Sequence, residues 1–173
     1  LLNAGDGTHA HPTQCLLDLL TIYQEFGKFD GLKVCFVGDI KFSRVAHEGI
    51  KTMERLGIEC FVSGPNIYME DDYKFVELDE AIKVMDVIVL LRVQNERHGD
   101  NDHVEKTSYL EKYGMTKERA LSMKEGAIIM HPAPFNRGVA IDDAVLDLPQ
   151  CRIFKQMKNG VFVRQAVLKR SFE

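Results

Sequence analysis

At 173 residues, with 45% hydrophobic residues and a formal net charge of -4 at pH 7, the chain is long enough to bury about 70% of its unfolded surface around one core. No run of Lys or Arg reaches nucleic-acid strength, no apolar run approaches the roughly 20 residues of a membrane span, and no signal-peptide or low-complexity pattern occurs. Neither a nucleic acid nor a membrane is an expected partner, so any anion must be bound by local geometry. Cys15, Cys35, Cys60 and Cys151 lie far apart and fit neither a zinc spacing nor a redox pair, and three of them fall inside apolar runs. Reduced, buried thiols in a cytoplasmic protein are expected. The chain starts at Leu1 in what reads as a strand end, as expected of a piece of something longer.

A polar loop, Asn3-Ala4-Gly5-Asp6-Gly7, leads to His11-Pro12-Thr13-Gln14 and then to the most apolar helix pattern in the sequence, Thr13 to Phe26, closed by Gly27. Proline suits the first helical position, because its missing N–H would be unsatisfied there anyway. His11 therefore falls at or near the N-cap and Gln14 in the first turn, where free N–H groups and the helix dipole favour a phosphate or carboxylate. Taken alone, these four residues also fit a plain helix start carrying a surface histidine.

Lys33 to Gly38 is a continuous apolar run of strand formers, as in a parallel strand covered on both faces. Ser43 is a good N-cap for a helix carrying Val45, Ala46, Ile50, Met53 and Leu56, with Gly57 as its stop. Glu59 to Ser63 reads as the next strand, 68–73 as a short polar helical turn, 75–77 as a brief strand, and 79–85 as a helix capped by Asp79. Another buried strand covers 86–91. The stretch 93–126 is the most polar, with a loop at 98–102 and helical material over 107–123. A strand at 127–130 runs into His131-Pro132-Ala133-Pro134, a short helix covers 141–146, a last strand 152–154, and a closing helix about 160–171.

Strands alternating with helices at this spacing predict an α/β fold, a doubly wound parallel sheet of about five strands with helices on both faces. Ligands of such sheets collect at the carboxyl ends of the strands, here Gly38-Asp39, 92–97 and 131–134. The first full strand is not followed by the spaced glycines of a dinucleotide loop, which disfavours a nicotinamide enzyme.

Three further groups carry chemistry. Arg44 sits just behind the Ser43 cap, where a cation facing the positive helix end costs about 0.3–1 kcal/mol. A carboxylate ligand reverses that sign, since guanidinium matches it as a bidentate fork; the alternative is an exposed surface arginine. Arg92 directly follows an apolar strand, with Gln94 two residues on and so on the same side of an extended chain. Together they are placed to clamp a second carboxylate, with Glu96 placed to hold the guanidinium. The prolines at 132 and 134 fix the backbone and remove two donors, leaving carbonyls of Ala133 and its neighbours to face a ligand or simply to make a tight turn. Either X-Pro bond there is a candidate cis bond.

In order and spacing, Asn-Ala-Gly-Asp-Gly with His11-Pro12-Thr13-Gln14, Gly38-Asp39-Ile40-Lys41 with Ser43-Arg44, Leu91-Arg92-Val93-Gln94 with Glu96-Arg97, and Met130-His131-Pro132-Ala133-Pro134 with Asn136-Arg137-Gly138 resemble the C-terminal, aspartate-binding domain of aspartate carbamoyltransferase catalytic chains. The resemblance runs from Asn3 to the terminal helix. Ornithine carbamoyltransferases share His-Pro-x-Gln but carry a cysteine in the late His-Pro motif, so Ala133 and the Arg-Val-Gln triplet favour aspartate. The resemblance implies a Rossmann-like three-layer domain over 1–173. It also implies that His11 and Gln14 contact the carbonyl and amide ends of carbamoyl phosphate, with backbone contacts from Ala133 and Pro134. Arg44 and Arg92 would bind the two carboxylates of aspartate, assisted by Gln94, and no metal or organic cofactor is implied. In this family an N-terminal domain carries the phosphate-binding Ser-Thr-Arg-Thr-type loop and a neighbouring subunit of the trimer adds a lysine. Neither feature lies in this chain, so 1–173 alone is expected to be inactive. The competing expectations are a non-catalytic small-anion or amino-acid-binding domain of the same fold, and a nucleotide-binding domain without its glycines.

Overall fold

The computed structural model describes residue 3, residue 5 and the stretches 10–92 and 106–173. Four strands, β1 (Lys33–Val37), β2 (Glu59–Ser63), β3 (Val87–Leu90) and β4 (Ile128–Met130), form one parallel sheet in the order β2-β1-β3-β4. Their side chains alternate between two separate cores. Val34, Phe36, Val87, Val89, Ile128 and Met130 pack with Cys15, Leu19 and Ile22 of helix α1 (Pro12–Phe26) and with Ala46, Ile50 and Met53 of α2 (Arg44–Arg55). Cys35, Val37, Ile88, Leu90 and Ile129 pack on the other face with Leu78, Ala81 and Ile82 of α3 (Leu78–Val84) and Ala120 of α5 (Lys117–Leu121). This is the expected α/β sandwich of helices on both faces of a parallel sheet, and double coverage explains why its strands are continuously apolar. Because β2 and β3 flank β1 on opposite sides, the chain leaves β1 and β3 in diverging directions and opens a crevice at their carboxyl ends.

Local signals set the helix ends. Pro12 opens α1 with His11 as its N-cap, and Gly27 closes it in the left-handed conformation (φ 68°), its N–H donating to Tyr23 O at 2.8 Å. Ser43 Oγ accepts from Ala46 N at 3.1 Å and starts α2. Among the described residues no helix is long and apolar enough to cross a membrane. All four cysteines are free; Cys15, Cys35 and Cys60 are buried and Cys151 partly so.

Among the described residues the sheet has four strands where about five were expected. Phe75 touches the sheet only as a single bridge to Val62, and Glu77 then serves as the N-cap of α3, which starts at Leu78 rather than behind Asp79. The expected strand at 152–154 is likewise one bridge, Ile129 to Cys151, after which Ile153 begins helix α6 (Ile153–Arg170). That helix starts well before Gly160. The glycine is a packing device in its middle, since a Cβ there would stand 3.2 Å from Leu17 Cδ2 of α1 and 2.6 Å from Arg164. Helical material at 107–123 is two helices, α4 (Lys106–Tyr113) and α5, separated where Met115 pairs with Ile141 and Thr116 caps the second. The polar turn expected at 68–73 is a 3-10 turn at Asn66–Tyr68 whose tyrosine is fully buried, and the short helix expected at 141–146 is a 3-10 turn at Asp143–Val145. Not every apolar residue of α1 is in the core, as Leu16 and Tyr23 are about half exposed.

Gly64, just past β2, has φ +142°, and a Cβ there would meet Gly38 O at 2.8 Å. Backbone lies on both sides of that contact, so neither can yield cheaply. Gly64→Ala is expected to lower stability by about 1–3 kcal/mol, read as a shift of the urea midpoint at unchanged slope; an unshifted midpoint would contradict this packing.

Candidate active site

The carboxyl ends of β1, β3 and β4 and the start of α1 surround a cavity of about 280 Å³, lined by His11, Gln14, Ser43, Arg44, Arg92 and the run His131 to Pro134, among others. Every sequence-predicted site residue except Gln94 therefore meets in one place: His11, Gln14, Arg44, Arg92, Ala133 and Pro134. Gln94, with Glu96 and Arg97, lies outside the described residues.

Each residue arrives by a different local rule. His11 comes with the N-cap of α1, its carbonyl accepting from Gln14 N and Cys15 N at 3.0 and 3.1 Å. Arg44 is the first residue of α2, as the serine cap predicts. Its guanidinium lies against the glycine of the N-terminal loop, and a Cβ on Gly5 would come within 3.2 Å of Arg44 Nη1. Arg92 follows Leu91, whose backbone N–H still donates to Val37 O at 2.8 Å, so the switch between β1 and β3 carries the arginine to the crevice. A Cβ on Gly38, where φ is +132°, would meet Leu91 O at 3.1 Å, so this close strand exit suits glycine. The Ala133–Pro134 bond is cis and Ala133 has φ +50°.

The electrostatics favour an anionic guest and a neutral imidazole. Burial lowers the pKa of His11, and the guanidiniums of Arg44 and Arg164 lower it further. The positive end of α1 disfavours a charged imidazole in the same direction, so desolvation, the helix dipole and two cations act together. His131 is buried, and burial alone brings its pKa down to about 4. Its Nδ1 accepts from Ala133 N at 3.0 Å, which places the proton of the neutral ring on Nε2.

Sequence reasoning missed a buried polar chain behind the cavity. Gln14 Nε2 donates to Asp18 Oδ1 at 2.9 Å, Gln156 Nε2 donates to the same oxygen at 2.6 Å, and Gln156 Oε1 accepts from His131 N at 2.9 Å. Burial pushes the Asp18 carboxyl up to about 7, although the amides of Gln156 and Gln14 both pull it back. A carboxylate one turn beyond Gln14 on the apolar side of a helix was the available signal. Gln156 gave none, because its segment preceded the expected start of the last helix.

Residues 30–170 match the family model of the aspartate/ornithine carbamoyltransferase Asp/Orn binding domain. The aspartate carbamoyltransferase catalytic subunit of Listeria welshimeri is 49% identical across 98% of this chain and 57% of its own length. That of Streptococcus pyogenes is 47% identical across 98% and 56%. The chain thus spans little more than half the length of these relatives. Among solved structures, the catalytic subunit of M. jannaschii aspartate transcarbamoylase superposes with a TM-score of 0.83 at 37% identity, covering 96% of this chain and 57% of that one. Aspartate transcarbamoylase from Trypanosoma cruzi, in complex with N-(phosphonacetyl)-L-aspartic acid, does so with a TM-score of 0.86 at 32% identity, covering 96% and 57%. With its family model matched over 30–170 and with these relatives, the chain belongs to the aspartate/ornithine carbamoyltransferase family, as its Asp/Orn binding domain.

Proposed function

We propose that residues 1–173 are the aspartate-binding half of an aspartate carbamoyltransferase. The whole protein would transfer the carbamoyl group of carbamoyl phosphate to L-aspartate, giving N-carbamoyl-L-aspartate and phosphate in de novo pyrimidine synthesis. The observation that carries this reading is the meeting of two guanidiniums, a neutral-leaning histidine and the Ala133-Pro134 backbone in one cavity. A dicarboxylate needs two planar forks, and Arg44 and Arg92 supply them, with Gln94 assisting. His11 donates to the carbamoyl oxygen as negative charge develops there, while Gln14, Ala133 and Pro134 hold the remainder of that group. The aspartate nitrogen bonds to the carbamoyl carbon, the bond from that carbon to the bridging oxygen breaks, phosphate leaves with the electron pair, and the amine gives up a proton. Most of the acceleration comes from holding two anionic substrates together in line and offsetting their repulsion. No metal or organic cofactor is required by this chemistry.

The phosphate is assigned to an N-terminal domain outside these residues, and the working form to a cytoplasmic homotrimer. The apolar residues Val161, Phe162 and Leu168, each about half exposed on α6, are assigned in part to the contact with that domain. The experiment is to assay N-carbamoyl-aspartate formation by the full-length protein and by the 173-residue chain, with binding of N-(phosphonacetyl)-L-aspartic acid measured for both. The expected outcome is turnover and tight binding by the full-length protein and neither by the fragment. Turnover by the fragment would refute the division of labour. A full-length protein that binds the mimic without turnover would indicate a sensor instead of an enzyme.

A further inference from the structure

The buried hydrogen-bond chain behind the cavity connects its two walls. Gln14 belongs to the start of α1, and the His131 to Pro134 turn follows β4; neither hydrogen-bonds the other directly. Asp18 Oδ1 takes both amide nitrogens, from Gln14 at 2.9 Å and from Gln156 at 2.6 Å, and Gln156 Oε1 takes the backbone N–H of His131 at 2.9 Å. Asp18 is 2% exposed and Gln156 1%. A buried carboxyl on an apolar helix face costs stability unless donors satisfy it, and here two side-chain amides do so. Two donors on one oxygen also settle which way each amide lies. Gln14 must give its nitrogen to Asp18 and so keeps its oxygen as the acceptor for anything else in the cavity. Without that anchor the amide is free to turn over and offer N–H where an acceptor is wanted.

We propose that Asp18, backed by Gln156, is a positioning residue that locks the Gln14 amide with its oxygen toward the cavity, so that the site takes a ligand presenting an N–H donor, such as the amino group of a carbamoyl ester. The same chain ties that orientation to the position of the His131 turn. This rests on the reading of the site as a carbamoyltransferase half-site.

The test uses the full-length protein with Asp18→Leu, Asp18→Asn and Gln14→Ala, alone and combined. Asp18→Leu removes the acceptor while keeping the volume. It is expected to raise the KM for carbamoyl phosphate about tenfold and to leave the KM for aspartate within about twofold, the loss of about one hydrogen bond to the ligand. Asp18→Asn keeps a carbonyl oxygen where Oδ1 stands and is expected to stay within about threefold of wild type. In the Gln14→Ala background, Asp18→Leu is expected to add nothing to the KM for carbamoyl phosphate. Equal loss for both substrates, or an undiminished effect of Asp18→Leu without Gln14, would show a merely structural role and overturn the proposal. Should Asp18→Leu not fold, Gln156→Leu, which leaves the Gln14 to Asp18 bond but frees the carboxyl to rotate, carries the same comparison. It is expected to give a smaller rise confined to carbamoyl phosphate, and its absence overturns the proposal equally. Lack of any carbamoyl transfer by the wild-type full-length protein would instead sink the functional reading on which this one rests.

Discussion

In the full-length protein, Arg92→Ala is expected to raise the aspartate concentration needed for half-maximal rate by about 30- to 1,000-fold, with the requirement for carbamoyl phosphate changed by less than about threefold. The size follows from the chemistry of the contact. A guanidinium facing a carboxylate in a shielded crevice makes two parallel charge-assisted hydrogen bonds, and removing it leaves a charge without its partner, a loss of about 2–4 kcal/mol. Arg92 lines the cavity directly beyond β3. Arg44 lines it from the first turn of α2, where its own charge opposes the helix dipole. Arg44→Ala is therefore expected to resemble Arg92→Ala in its effect on aspartate. Steady-state kinetics with each substrate varied separately decides the matter. Equal effects of Arg92→Ala on both substrates would remove it from the amino-acid end of the site. A lysine in its place restores charge but not the planar fork, so Arg92→Lys is expected to recover only part of the loss.

The second large effect is in stability, as a function of pH. Asp18 has an ordinary carboxylate value of 3.8 and is pushed by burial up to about 7 in the folded chain. A group whose folded value lies above its unfolded one binds its proton more tightly when folded. Its contribution is therefore complete below pH 4 and is lost as the pH rises to 7. At about 1.36 kcal/mol per pH unit, the wild type forfeits about 4 kcal/mol over that window through this residue. His131 runs the other way. Its value falls from 6.5 to about 4 on burial, so its contribution is present above pH 6.5 and lost as the pH falls through 4. The two slopes nearly cancel, and each hides the other in the wild-type curve. Asp18→Asn removes one of them. The stability difference between Asp18→Asn and wild type, from urea unfolding at matched pH, is expected to move in favour of the variant by about 4 kcal/mol between pH 4 and pH 7. A difference that stays constant with pH would mean that Asp18 titrates normally and that its burial costs far less than the geometry implies.

Much of the site was legible because its residues are fixed by short-range rules. Proline after a histidine sets a helix start whatever lies around it, and Ser43 does the same for the helix that carries Arg44. Arg92 followed from a strand end, since the apolar run before it had to be covered on both faces. What was not legible came from places where distant segments override local preference. Gly160 reads as the start of the closing helix but sits in its middle, where α6 packs so closely on α1 that a side chain would press on Leu17. The stretches 75–77 and 152–154 read as strands, yet each leaves only one bridge, at Phe75 and at Cys151, because the helix that begins just beyond takes over the backbone.

The α/β class, the parallel sheet with both faces covered, and the residues at the strand ends were readable along the chain, because periodicity, caps and proline act within a few neighbours. Long-range packing set the rest: four strands among the described residues, a start of α6 at Ile153, and a bond from Gln156 to Asp18 across 138 residues of chain. Those are outcomes of close packing between α1, α6 and the end of β4. The partner of a buried polar group is chosen by which segments happen to meet, and that is set by the whole core rather than by any stretch of it.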